Sequence, residues 1–267
     1  MYLLLFFYIL KLSEVTIMIR FLLVVLVLIG FLVFSIPLLL AGRLTARKNP
    51  EKMQRDSLRV VQAVFRLIIR LTGTTVTVIG QENIPAGAVL YVGNHCSYFD
   101  ILVGYTTVPD LTGFVAKKEM LRYPLLSDWM RNVNCLFLDR HNIKEGMKMI
   151  LTGVDKIKHG ISIWIFPEGT RNENEDMLEL LPFKEGSLKL AEKAKCPVVP
   201  VAITGTAEIF ENHLPFMKPS RVTIEYGRAI DLEQLTPQEK KRAGAYTRTI
   251  IMEMLKAEQA RRRSMWI

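Results

Sequence analysis

"AVLYVGNHCSYFD", residues 88–100, decides how the rest of the chain is read. An apolar run of strand length ends at Gly93, and a polar cluster carrying His95 and Asp100 follows at once. In an open α/β sheet ligands bind in the crevice beyond the carboxyl ends of the strands, so a polar cluster placed there is a candidate site. A plainer reading also stands: Ser97 caps a helix, and Asp100 sits in its first turn near the positive end of the dipole. On one continuous helix His95 and Asp100 would stand about 140° apart and could not touch. They meet only if His95 lies in the turn before the helix and folds back over it. A carboxylate on one imidazole nitrogen then leaves the other free to take a proton from a hydroxyl. Taken alone, the H-x4-D spacing is a weak pattern.

Outward from this stretch, short β-rich runs alternate with helical ones. Strands are predicted at "TTVTVIG" (74–80), "AVLYVG" (88–93), "LTGFVAK" (111–117), "CLFLDR" (135–140), "SIWIF" (162–166), "PVVPVAI" (197–203) and "RVTIEYG" (221–227). Helices are predicted over 143–160, closed by Gly160, and over 183–195. A mixed helical stretch over 118–132 is broken at Pro124. A long C-terminal helix spans 236–260, with Thr236 as its cap and Pro237 at its first position. This alternation predicts an α/β fold, a mostly parallel or mixed sheet covered by helices.

The N-terminal region reads differently. "FLLVVLVLIGFLVFSIPLLLAG" (21–42) carries no charge and is long enough to cross or deeply enter a bilayer. Arg20 precedes it and Arg43, Arg47 and Lys48 follow, which places the remainder on the cytoplasmic side. "MYLLLFFYIL" is apolar but too short to span, and "KLSE" separates it from a second natural start at Met18. In "EKMQRDSLRVVQAVFRLIIRLTG" (51–73), Arg55, Arg59, Arg66 and Arg70 fall within about 60° at helical pitch. Such a helix lies in the headgroup region with its arginines on lipid phosphates, or packs on the following domain with its arginines in water. The expected division is a membrane anchor over 1–72, an apolar helix near 18–42 plus the basic helix near 51–72, and a catalytic domain over 73–267. The tail "RRRSMWI" is a frayed terminus or a membrane foot.

Half of the 267 residues are hydrophobic and the formal net charge is +9. Beside an apolar anchor, that charge points to anionic lipid or phosphorylated substrates, and no nucleic-acid-binding signature is present. Three widely spaced cysteines, Cys96, Cys135 and Cys196, form neither a zinc pattern nor a disulfide framework.

Further polar clusters follow other predicted strands. "FPEGTR" (166–171) has a tight turn at Pro167 and Gly169, then Arg171, whose planar fork suits phosphate. "FLDR" ends in Arg140 and "VAKKE" supplies Lys117 and Lys118. Each has an ordinary alternative as a surface ion pair or solvated charge. "VPVAI" (199–203) reads as core.

Together, NHCSYFD, FLDR, FPEGTR and VPVAI resemble, in order, the four-block pattern of the glycerolipid acyltransferases, most closely those acting on 1-acylglycerol-3-phosphate. The resemblance covers roughly residues 70–230. It implies a glycerol-3-phosphate-acyltransferase-like fold behind a membrane-associated helical pair. His95 would be the general base for the free hydroxyl of lysophosphatidate, and Asp100 would orient it. Arg140 and Arg171 would hold the acceptor phosphate with Lys117. Glu168 and Gly169 would shape that site, and Asn94 and Thr170 belong to the same substrate-binding set. The donor would be an acyl thioester on coenzyme A or acyl carrier protein, used as co-substrate, with no cofactor or metal. Membrane lipids are the expected partners, on the cytoplasmic face of the inner membrane. Alternatives are another lysolipid or glycerol-3-phosphate as acceptor, or a non-catalytic anionic-lipid-binding protein of this fold. Cys96, beside His95, is a minor candidate for an acyl-enzyme nucleophile.

Overall fold

In the computed structural model, which describes residues 2–174 and 176–264, the sequence alternation becomes one seven-stranded sheet. Its strands are β1 (Thr75–Ile79), β2 (Leu90–Gly93), β3 (Thr112–Lys117), β4 (Leu136–Leu138), β5 (Ser162–Ile165), β6 (Val198–Thr204) and β7 (Arg221–Tyr226). They lie in the order β1-β7-β6-β2-β5-β3-β4. All neighbours run parallel except β6 and β7. Because β2 is central, whatever follows Gly93 emerges at the middle of the carboxyl edge.

Among the described residues the helices are α1 (Tyr2–Phe34), α2 (Ile36–Lys48), α3 (Pro50–Thr72), α4 (Phe99–Thr107), α5 (Leu126–Asn132), α6 (Ile143–Lys158), α7 (Lys189–Ala194), α8 (Pro237–Lys241) and α9 (Ala243–Ser264). Strand side chains alternate between the two faces. Tyr91, Trp164, Val199 and Val201 join one buried cluster, which α1, α3, α4 and α5 cover through Val24, Ile68, Val103 and Trp129. Leu90, Val92, Ile163 and Val198 join the other, covered by α6, α7 and α9 through Ile157, Leu190 and Ile251. With both faces covered, every residue of β2 and β5 is buried.

Two helical expectations change, and of the two readings of the basic helix the packed one describes its apolar side. The apolar run 21–42 is two helices rather than one, because Pro37 begins a new helix just after Ser35. "KLSE" does not interrupt α1, since none of its residues breaks helical hydrogen bonding. The apolar side of α3 is taken up by protein: Leu58, Val61, Ile68 and Ile69 lie in the core. Its arginines face outward, with Arg55 paired to Glu51 and Asp110 and Arg59 to Asp56.

The helix α1 is also docked. Phe21, Val27, Phe31 and Leu32 pack on the core around buried Val24, and the Trp129 indole N–H donates to Ser35 Oγ at 2.8 Å. The opposite side, Leu22, Leu26, Ile29 and Val33, is exposed, and Val15–Phe34 is long and apolar enough to cross a bilayer. Trp266, on which the membrane-foot reading of the tail depends, lies outside the described residues.

The far end of α9 is fastened to the sheet. Buried Glu258 accepts from Thr223 Oγ1 at 2.6 Å and from Arg261 Nε and Arg262 Nε, each at 2.9 Å. Burial pushes this carboxyl up, but the bonds from Thr223, Arg262 and Arg261 outweigh it and hold it below its ordinary 4.5. A carboxyl depressed in the folded state contributes stability above its unfolded value and loses it as pH falls through the folded one. Glu258→Gln is expected to cost about 2 kcal/mol at neutral pH, the scale of a charged hydrogen bond. The deficit relative to the parent should close on acidification below pH 4.5. Urea unfolding at neutral and acidic pH measures both effects.

Candidate active site

The chain leaves the sheet after Gly93 under tight control. Asn94 Nδ2 donates to the Ile203 carbonyl at 2.9 Å, and Asn94 Oδ1 accepts from the Ile203 N–H at 2.8 Å. The side chain thus extends the β2–β6 pairing by one position. His95, Cys96 and Ser97 then cross to α4 without helical structure.

This irregular stretch brings the histidine and the aspartate together. Asp100 is fully buried, and its Oδ2 accepts from His95 Nδ1, Cys96 N and Ser97 N, each at 2.8 Å. Its Oδ1 accepts from Thr206 Oγ1 at 2.5 Å. The acceptor-only carboxylate places the proton on Nδ1 and leaves the Nε2 lone pair open. Among the described residues Nε2 has no partner, and the imidazole is 15% exposed.

Segment 166–172, after β5, braces the same histidine. The Phe166 ring stacks on the imidazole, with centroids 4.1 Å apart and planes at 11°. Buried Glu168 accepts from the His95 N–H at 2.8 Å and from the Leu181 N–H at 3.0 Å. Burial raises the Glu168 carboxyl, opposed by those two N–H groups. The Asn172 N–H donates to the His95 carbonyl at 2.6 Å. Gly169 closes the turn at φ 76°, a left-handed backbone conformation that favours glycine.

Arg171 stands beside this loop. Its guanidinium carbon lies 4.0 Å over the Tyr98 ring, and its NH1 reaches Glu211 Oε1 at 3.3 Å. Lys117 closes β3 and Arg140 follows β4, so both reach the same carboxyl edge, exposed. By the order β2-β5-β3-β4, β4 lies about 14 Å from β2 at ordinary strand spacing. Thr170 is exposed.

The expected residues therefore divide. His95, Asp100, Glu168, Gly169 and Arg171 gather around one loop, while Lys117 and Arg140 share the edge at a distance. Asn94, expected in the substrate-binding set, is buried with its side chain bonded to the backbone of Ile203. Glu168, expected to shape the site, is buried and accepts from two backbone N–H groups. Cys96, the minor candidate for a nucleophile, faces away from solvent. Its Sγ turns to Thr206 Oγ1 at 3.4 Å, and burial, with the charge of Asp100, pushes the thiol well above its usual range. That direction disfavours the thiolate a nucleophile needs. Sequence reasoning missed Phe166, Asn172, Thr206 and Glu211.

The acyltransferase family model matches residues 75–204, the span from β1 to the end of β6. A 1-acyl-sn-glycerol-3-phosphate acyltransferase of Borreliella burgdorferi is 30% identical over 75% of this chain and 80% of its own length. One from Saccharomyces cerevisiae is 28% identical over 72% of this chain, which spans 62% of the yeast protein. The crystal structure of the 1-acyl-sn-glycerophosphate acyltransferase PlsC of Thermotoga maritima shares the fold, with a TM-score of 0.78 at 24% identity over 92% of this chain and 98% of that one.

The Thr206 hydroxyl is open to test by itself. Thr206→Val leaves a buried carboxylate oxygen short of a donor, at an expected cost of about 2 kcal/mol. Thr206→Ser, which keeps the hydroxyl, should recover most of it, as read by denaturant unfolding.

Proposed function

The chain belongs to the glycerolipid acyltransferase family, among the 1-acyl-sn-glycerol-3-phosphate acyltransferases, and from that premise we propose a reaction at His95. The substrate is lysophosphatidate, and the donor is an acyl thioester on coenzyme A or acyl carrier protein. The observation that carries this reading is the 2.8 Å bond from His95 Nδ1 to Asp100, with Nε2 left open beside the Arg171 loop.

Nε2 takes the proton of the sn-2 hydroxyl as its oxygen attacks the thioester carbonyl. Asp100 holds the ring and balances the imidazolium that forms. When the tetrahedral adduct collapses, the carbon–sulfur bond breaks and the thiolate leaves. It takes the proton back from Nε2, so the products are phosphatidate and a free thiol, and the enzyme returns unchanged. An alcohol needs base assistance for this attack, whereas a thiolate leaves without a strong acid.

Arg171, a planar donor stacked on Tyr98, is the group we assign to the acceptor phosphate. Lys117 and Arg140 add positive charge along the same edge and belong to the proposed acceptor site. Thr170 and Gly169 complete its rim. We place the catalytic domain on the cytoplasmic face of the membrane that α1 enters, from the basic residues Arg43, Arg47 and Lys48 after the apolar stretch.

His95→Ala is expected to lower turnover by at least about 10²-fold with folding intact, the lower range for general-base catalysis. Near-normal turnover in the purified variant would remove the mechanism. Arg171→Ala is expected to raise KM for lysophosphatidate by about tenfold, the loss of one charge-assisted contact, and to leave donor KM in place. Parallel assays with acyl-coenzyme A and acyl carrier protein, following thiol release and phosphatidate, identify the donor.

A further inference from the structure

Glu211 is absent from every motif in the sequence, yet it touches both halves of the site. It begins a short 3-10 turn, Glu211–His213, beyond β6, in the loop that also carries Thr206. Its Oε2 accepts from Ser97 Oγ at 2.6 Å, and its Oε1 accepts from the Tyr98 N–H at 2.8 Å. Ser97 and Tyr98 lie between His95 and Asp100. The same Oε1 meets Arg171 at 3.3 Å, and the two side chains are 14% and 29% exposed.

These contacts are unequal. Charge-assisted N–H···O bonds ordinarily close to about 2.7–2.9 Å, so the two contacts to the catalytic loop are tight and the contact to arginine is slack. The carboxylate is anchored by the loop and only leaned on by Arg171. The Tyr98 face fixes the plane of the guanidinium independently.

We propose that Glu211 is the resident counterion of Arg171, which the phosphomonoester of the acceptor displaces. It is thereby a positioning residue that sets selectivity for a doubly charged headgroup. This rests on the reading of Arg171 as the acceptor-phosphate group. In the empty site Glu211 balances the cation and keeps its fork turned toward the histidine loop. A phosphomonoester outcompetes a single carboxylate for the fork, and Glu211 stays behind on Ser97 and Tyr98. A headgroup with one charge or none has less to offer in that exchange.

The test is Glu211→Gln, which keeps an acceptor for the Tyr98 N–H and removes the charge. KM for lysophosphatidate is expected to fall about threefold, the scale of a partly exposed ion pair, with the change in KM rather than kcat. The preference for lysophosphatidate over a lysophospholipid phosphodiester should narrow. In an Arg171→Ala background the same substitution should leave KM where Arg171→Ala put it. An unchanged or raised KM in the single variant overturns the role of Glu211, as does a loss confined to kcat. If Arg171→Ala alone leaves KM for lysophosphatidate at its parental value, the acceptor-phosphate reading fails first and takes this proposal with it.

Discussion

The carboxylate of Asp100 is the point on which the rest of the site hangs. A buried carboxylate is tolerated only when its oxygens are met by donors. Here they come from an imidazole, two successive backbone N–H groups and the hydroxyl of Thr206. Satisfying the two N–H groups bends residues 95–97 back over the first turn of α4. That bend removes the 140° separation a continuous helix would impose. The geometry that brings His95 onto Asp100 is thus the same geometry that keeps Asp100 from being an unpaired buried charge.

The His95 imidazole is held through its backbone as well as its ring. Glu168 takes the His95 N–H, Asn172 gives to the His95 carbonyl, and Phe166 covers one face of the ring. All three come from the segment after β5, the immediate neighbour of β2, so sheet pairing sets their distance. The two buried carboxylates therefore divide the work. Asp100 addresses the ring and Glu168 the main chain, and burial of Glu168 costs less because two N–H groups face it.

All seven strands were legible from apolar runs bounded by turn residues, and β6–β7 is the one antiparallel pair that alternation could not foretell. His95, Asp100 and Arg171 were legible because each follows a strand at the carboxyl edge. Glu168 was found, but sequence shows only that a carboxylate is present and not what it faces. Thr206 and Glu211 were illegible for a stronger reason. Their partners in the loop between His95 and Asp100, and Asp100 itself, lie more than a hundred positions earlier in the chain, and neither residue type stands out in a loop. The break at Ser35 escaped because a hydropathy run registers Pro37 as neither charged nor polar.

The anchor and the site are mechanically continuous. Phe21 of α1 stacks on Phe210, with ring centroids 6.1 Å apart and planes at 14°. Phe210 precedes Glu211 in the loop whose Thr206 binds Asp100. One side of α1 thus packs on the element that grips both the dyad and the arginine, while its other side offers Leu22, Leu26, Ile29 and Val33 outward. Apolar surface left exposed on a helix docked this firmly is stable only against lipid or another apolar partner. Val15–Phe34 is long and apolar enough to cross a bilayer. Packing α3 into the core fixes the bed on which α1 lies. The N-terminal helices therefore cover one face of the sheet within the same apolar cluster as α4 and α5.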